Sequence, residues 1–292
     1  MAVAEPYAAT TLVPARTRFV PSPQEYLRGS PVSSWVALGA LTLLFVIAIF
    51  AKEIAPFNPL VPAGLPQTGP NAVNWFGTDT VGRDVFSRVL AGMATSWWGA
   101  LGVVTSGVVF GGLIGLVAGA VGGWLDNVLM RVTDVFLALP APILAIAIVA
   151  VLGPSYLHTL IGVAIVWWPL YTRIVRAEVR RLRASPHMEA AKLAGAGWWR
   201  QLSRHLLPGA VPVTIVTASL DVSALVLMLS SLSFLGLGAP EPAPELGAMA
   251  AQGMTNILTS WWIPVFPAVG VAVIAIVSNF AGDAIRDRIA SR

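Results

Sequence analysis

"WWGALGVVTSGVVFGGLIGLVAGAV", residues 97–121, runs for 25 positions without a charged side chain. As a helix it would rise about 37 Å, at about 1.5 Å per residue, against a bilayer hydrocarbon core roughly 30 Å thick. The length and the missing charge make this a membrane span. Five further apolar stretches extend the pattern: roughly Trp35–Ala51, Phe136–Leu152, Thr159–Tyr171, Ala210–Phe234 and Ile263–Ala281. Only a short break at Gly153-Pro154-Ser155 separates the third stretch of the chain from the fourth. Unpaired backbone in lipid is costly, so these two read as a tight helical hairpin. The expectation is an all-α integral membrane protein with six transmembrane helices.

Composition agrees. The 292 residues are 56% hydrophobic and 11% charged, whereas a soluble domain carries roughly 25% charge. There is no cysteine, which excludes disulfides and thiolate metal sites. His158, His187 and His205 are scattered without ligand spacing, so no metal site is expected. Residues 1–34 are polar and Pro-rich, and the first apolar run begins too late for a secretory signal. They read as a cytoplasmic tail before an uncleaved span. With that end inside, fifteen Lys and Arg fall on cytoplasmic segments and three (Lys52, Arg83, Arg88) on outer ones. The bias predicts both termini in the cytoplasm. It also accounts for the net charge of +4 without nucleic acid. The resulting organisation is a tail over 1–34, a membrane domain over 35–281 with an outer loop 52–96 and a cytoplasmic loop 172–209, and a tail over 282–292.

Inside the second apolar stretch and just past it, Gly107, Gly111, Gly115, Gly119 and Gly123 recur every four residues. Each would cost a helix in water about 1 kcal/mol relative to alanine. Kept in register, they make a groove for a neighbouring helix. Pro140, Pro142, Pro264 and Pro267 are expected to bend the starts of the third and sixth spans.

The cytoplasmic loop holds "EAAKLAGAGWWRQLSRHLLP", residues 189–208. Ser185-Pro186 supplies a capping hydroxyl and a first-turn proline. Glu189 falls one place late for a capping box and is free for another role. Ala190, Ala191 and Ala194 let another surface approach, and Gly195 and Gly197 allow a change of direction. A second helix over Trp198–Leu207 would place Trp198, Leu202, His205 and Leu206 on one side, with Pro208 ending it. Two readings remain open on these residues alone: a helix inserted into a cleft of a soluble partner, or an amphipathic helix resting on the bilayer.

In the outer loop, "FGTDTVGRDVFSRVLAGMATS" (76–96) begins with Thr78 and Asp79 as helix caps. Val85, Phe86, Val89, Leu90 and Met93 follow at helical spacing. Asp84 and Arg88 are placed for an i,i+4 pair of about 0.2–0.5 kcal/mol. The expectation is a helix lying flat on the outer membrane surface.

Four segments carry a family resemblance. Glu189-Ala190-Ala191 with Gly195, ending at Leu207-Pro208, resembles the EAA motif of permease subunits of ATP-binding-cassette importers. Segment 76–96 is similar to the GTD-x-x-GRD-x-x-SR-x-x-x-G signature of the C-type subunit of dipeptide and oligopeptide importers, carried here by Gly77, Thr78, Asp79, Gly82, Arg83, Asp84, Ser87 and Arg88. "WLDNVLMRVTDVFLALP" (124–140) and "SLSFLGLGAPEPAPELGAM" (231–249) resemble two further family segments. His187-Met188 stands where tyrosine-valine is expected, and His205 where isoleucine is usual. The resemblance implies a pore half in a bacterial cytoplasmic membrane. Its partners would be a homologous B-type permease, two ATPase domains and an extracytoplasmic binding protein. It also implies that Glu189, Ala190, Ala191, Lys192, Ala194 and Gly195 form the coupling helix docked on the ATPase, with Leu207 and Pro208 at the loop's end. ATP and Mg2+ would be used by the partners and no cofactor by this chain. The implied cargo is short peptides, although relatives carry nickel chelates and other solutes.

Asp221 lies midway along the fifth span between Ser219 and Ser223. A carboxylate there costs about 2.5–3.5 kcal/mol on insertion scales, so it faces protein or a water-filled path. It either lines the translocation route or hydrogen-bonds span five to a neighbour. Arg131 is placed to brace Asp126 or Asp134, and Glu178 with the arginines from Arg173 to Arg183 extends the fourth span. No G-x-x-x-x-G-K-[ST] occurs, and no nucleophile–base arrangement is visible, so the chain is not expected to be an enzyme. The rival reading is an ion-coupled transporter with Asp221 as proton site. Such a protein would be expected to show internal repeats, and none is visible beyond the glycine row.

Overall fold

A chain this apolar has to satisfy its backbone internally, and helices do so within each segment. The structure, a computed structural model, describes residues 31–290. Among these the only β-pairing is two isolated bridges, Pro62 with Arg83 and Thr78 with Asp84. The helices are α1 (Pro31–Ile54), α2 (Val85–Val121), α3 (Gly123–Leu137), α4 (Ala141–Leu152) and α5 (Tyr156–Arg183). They continue with α6 (Pro186–Leu193), α7 (Trp198–Leu237), α8 (Leu246–Gly253) and α9 (Trp262–Ala290). α1, α2, α5, α7 and α9 are each long and apolar enough to cross a membrane. The sixth candidate is the pair α3 and α4, bent by 84° at their junction. The chain is thus an all-α integral membrane protein. The basic residues Arg16, Arg18, Arg28 and Arg292 and most of the expected N-terminal tail lie outside the described residues.

Several expectations need correcting. The bend expected at Pro140 and Pro142 is there and is sharper than a kink, an 84° break at Pro140 with Pro142 in the first turn of α4, so the third apolar stretch is not one straight span. A proline lacks an N–H and pushes the residue before it out of helical conformation. Only 12 residues, α4, remain beyond the break, about 18 Å of helix. The hairpin with α5 does form, turning at Gly153 (φ +88°), but one arm is short. The flat outer helix expected over 85–93 is instead the opening of α2. No proline interrupts it, and Val85, Val89, Trp97, Ala100 and Val103 share one buried face. Its cap is Asp84, whose carboxylate accepts from Ser87 N–H at 2.8 Å, and not Thr78 or Asp79.

Pro208 does not end the loop's second helix either. Leu202–Leu206 form a π-turn, and the helix passes straight through into the fifth span as α7. A wider turn just before a proline accommodates the missing N–H and the ring. At the far end α9 runs to Ala290, so most of the expected C-terminal tail is helix.

The glycine row packs against α5. A Cβ built on Gly107 would lie 2.8 Å from the Tyr171 ring, one on Gly115 2.5 Å from the Thr172 carbonyl oxygen, and one on Gly119 2.8 Å from Val179 Cβ. One on Gly111 would collide with the Trp168 carbonyl oxygen. The closeness lets Thr172 Oγ1 donate to the Gly111 carbonyl at 3.0 Å, and Arg183 to that of Gly119 at 3.1 Å. Gly123 leaves the row. It begins α3 at φ +65° with open space around it. The main core joins α1, α2, α4, α5, α7, α8 and α9, with Leu225, Leu246 and Ile274 wholly buried. A second cluster gathers Leu116, Ala120, Val175, Val179, Met188, Leu206 and Ala210 around α6.

Candidate functional site

The loop between α5 and α7 is built from its caps inward. Ser185 accepts from Met188 N–H at 3.4 Å and donates to the Leu182 carbonyl at 2.7 Å, with Pro186 in the first turn. Met188 then buries itself among side chains of α2, α5 and α7, so one thioether anchors α6 to three helices. The other face is bare. Glu189, Ala190, Lys192, Leu193, Ala194 and Gly195 are exposed and Ala191 is half-buried. Leu193 is 91% exposed and Trp199 74%. Gly195 closes the helix at φ +78°, donating to the Lys192 carbonyl at 2.9 Å, and nothing lies within 4 Å of a Cβ built on it. Glu189 has no ion pair among the described residues. Leu207 and Pro208 are exposed on the continuous helix.

His187 and His205, 18 residues apart, meet with Nε2 and Nδ1 at 3.1 Å. The histidines are therefore not all scattered. Among the described residues no group of three metal-ligating side chains forms.

On the outer signature, the structure brings every residue into one buried brace. Gly77 (φ +73°) and Gly82 (φ +86°) turn where a side chain would strike the carbonyls of Thr68 and Gly64. The Thr78 hydroxyl donates to the Leu65 carbonyl at 2.6 Å and accepts from Thr68 N–H at 2.9 Å. Its own carbonyl accepts from Trp262 Nε1 at 3.1 Å. Asp79 accepts from Arg83 Nε at 2.6 Å, and Arg88 lies 3.6 Å from it. Arg88 also donates to the carbonyls of Pro59 and Pro242 at 2.9 and 3.2 Å. The expected Asp84–Arg88 pair is not made. Asp84 instead accepts from Asn74 at 2.9 Å and from the Ser87 hydroxyl at 2.7 Å. A cleft of about 30 Å³, roughly one water, lies beside Asp79, Arg83 and Arg88.

Arg131 pairs with neither acid offered to it and is exposed. α3 and α5 run side by side, so Asp126 is held by the fork of Arg176, with Arg180 at 3.7 Å. Asp134 is held by Arg173 at 2.7 Å. These partners stand 50 and 39 residues apart, and nothing in the sequence pairs them. Asp221 accepts from Trp167 Nε1 at 3.1 Å, is partly exposed and has no basic partner among the described residues. Sequence reasoning missed α8 and Glu245, which caps it. The carboxylate accepts from Gly247 and Ala248 N–H at 3.1 and 2.8 Å. Burial pushes this carboxyl above the ordinary range, and the two amide donors pull it partly back. The visible signal was an acid two residues before a run of small apolar ones.

Against known proteins, residues 111–292 match the model of the family described as "binding-protein-dependent transport system inner membrane component". The chain is 39% identical over 265 residues to the probable D,D-dipeptide transport system permease protein DdpC of Escherichia coli K12, covering 89% of this chain and 88% of the relative. It is 39% identical over 254 residues to the dipeptide transport system permease protein DppC of Alkalihalophilus pseudofirmus, covering 86% and 83%. It is 35% identical over 255 residues to the glutathione transport system permease protein GsiD of Pectobacterium atrosepticum, covering 86% and 85%.

Proposed function

Because this chain belongs to the family of binding-protein-dependent transport system inner membrane components, we propose that it forms one half of the pore through which an ATP-driven importer carries short peptides. It is a multi-pass permease subunit of the cytoplasmic membrane. Permeases of this family work with a second permease, ATPases and a binding protein. The finer assignment is a B-type permease beside it, two ATPase domains inside and the binding protein resting on the outer loop. Peptide cargo is supported by the relatives, two named for dipeptides and one for glutathione.

The observation that carries the reading is α6: a short helix anchored by one buried methionine, with its whole opposite face bare and its end turned sharply at Gly195. Closure of the ATPases on ATP pushes this helix, which Met188 holds against the ends of α2, α5 and α7, and the displacement passes into them. Hydrolysis and its Mg2+ belong to the partners. Tagged purification from native membranes tests this. The wild type brings down an ATPase and a second permease. Gly195→Trp, which crowds the bare face and forces a large side chain into left-handed backbone, loses the ATPase and keeps the permease. An ATPase retained by the variant would count against the docking role.

Asp221 is a group in this pore half suited to meet a peptide's amino group, since its carboxylate has a tryptophan donor and, among the described residues, no cation. Asp221→Asn should lower uptake of free-amine dipeptides and spare N-acetylated ones. Equal transport of both by the variant would return Asp221 to a purely structural part.

A further inference from the structure

Both histidines that depart from the EAA-type pattern sit at the junction of α6 and α7. His187 is in the first turn of α6 and His205 in the π-turn of α7. Their nitrogens lie 3.1 Å apart and their rings meet edge-on, with centroids at 5.1 Å. Among the described residues this is the sole side-chain hydrogen bond between the two helices. The Met188 contact beside it is apolar and lets neighbours slide. A hydrogen bond fixes direction.

We propose that the His187–His205 pair is the strut that carries displacement of α6 into α7, and that acid disconnects it. The inference rests on the reading of α6 as the ATPase-docking helix. The proton arithmetic is simple. In the neutral pair one ring donates and the other accepts. One added proton leaves the bond intact, because an imidazolium N–H still donates to the neutral ring. The second removes the last acceptor and sets two like charges at hydrogen-bond distance. The link therefore holds while the pair carries at most one added proton and is lost on the second, which the charge of the first opposes. The charged groups on α5 are Glu178, paired with Arg181, Arg173 and Arg176, paired with Asp134 and Asp126, and Arg180 and Arg183. Glu189 and Lys192 lie on α6, and Arg200 and Arg204 on α7. None of these acids forms an ion pair with a ring, so the second charge would stand uncompensated.

The test uses the purified importer complex, trapped with ATP and vanadate at pH 7.5, then held at pH 7.5 or 4.5 and labelled for hydrogen exchange there, with exchange times scaled to the intrinsic rate at each pH. Protection of 186–193 reads docking, and the change over 207–215 reads transfer into α7. In wild type, docking is expected at both pH values, while the α7 response falls about fivefold in acid, the weight of about one hydrogen bond. His205→Ala should lose that response at both pH values. His187→Gln/His205→Gln keeps a donor and an acceptor without a titrating group and should respond equally at both. It also serves as the control for folding. An α7 response that survives in His205→Ala, or a pH dependence shared by wild type and the double variant, overturns the strut and leaves docking standing. Absence of protection over 186–193 in wild type removes docking and the strut with it.

Discussion

Glu245 shows how one side chain holds a buried helix end. The first amides of a helix have no partner within it, and here a carboxylate that is 1% exposed supplies one for Gly247 and Ala248. Burial opposes its charge more than the two donors favour it, so the folded chain binds its proton more tightly than the unfolded chain. The sign follows from that. Stability from this group is complete below the ordinary value of 4.5 and is lost as pH rises through the higher folded value. Glu245→Gln keeps an acceptor and has nothing to ionise. Its amide nitrogen cannot accept from the second of the two N–H groups, so its unfolding temperature in detergent should lie below wild type in acid, with the gap closing towards neutrality as the wild-type carboxyl ionises. A constant gap at every pH would mean that the carboxylate is not the cause. The sequence showed which residues were special at this scale and rarely why. Asp79, Arg83 and Arg88 stood out as a charged cluster. Their partners, the carbonyls of Pro59 and Pro242 among them, come from segments up to 154 residues away. No local pattern encodes such a meeting.

At the scale of helices the glycine row was readable, because a spacing of four puts each glycine on one face of α2. The neighbour was not readable, since any of the other spans could have filled the groove. α5 fills it, with Thr172 bonded to the Gly111 carbonyl. Gly111→Leu must drive the helices apart at the Trp168 carbonyl and break that bond. The overpacking alone should cost about 1–3 kcal/mol. Gly112 is the control, because a Cβ there meets nothing within 4 Å. Gly112→Ala should stay within about 1 kcal/mol of wild type. Thermal unfolding of the two variants in detergent, followed by size-exclusion recovery, separates them. Equal losses would show that the seam is not what the glycines serve. The prolines were legible as breaks but not as to kind. Pro140 turns the chain by 84° between α3 and α4, whereas Pro208 sits inside α7 behind a π-turn. The difference depends on whether packing on both sides holds the helix together. Leu206 and Ala210, either side of Pro208, are both buried in one cluster.

For the whole molecule, the charge count and the bare face of α6 make one joint claim about sidedness. Fifteen basic residues against three predict the loop with α6 on the inside, and the proposed docking on an ATPase requires it there. The chain has no cysteine, so a single introduced thiol reports its own side. Val73 in the loop before α2 is 64% exposed and Leu193 on α6 is 91% exposed. A membrane-impermeant maleimide should label Val73→Cys in intact cells stripped of their outer barrier. Leu193→Cys should label only after the membrane is opened, and inside-out vesicles should reverse the two. Labelling of Leu193→Cys from outside would invert the topology. The brace around Asp79 would then face the cytoplasm, and α6 would have no ATPase to meet. The same pair of thiols reads assembly. When the ATPases are bound, Leu193→Cys should lose most of its labelling in inside-out vesicles while Val73→Cys in intact cells keeps its own, because only one of the two surfaces is the proposed docking face.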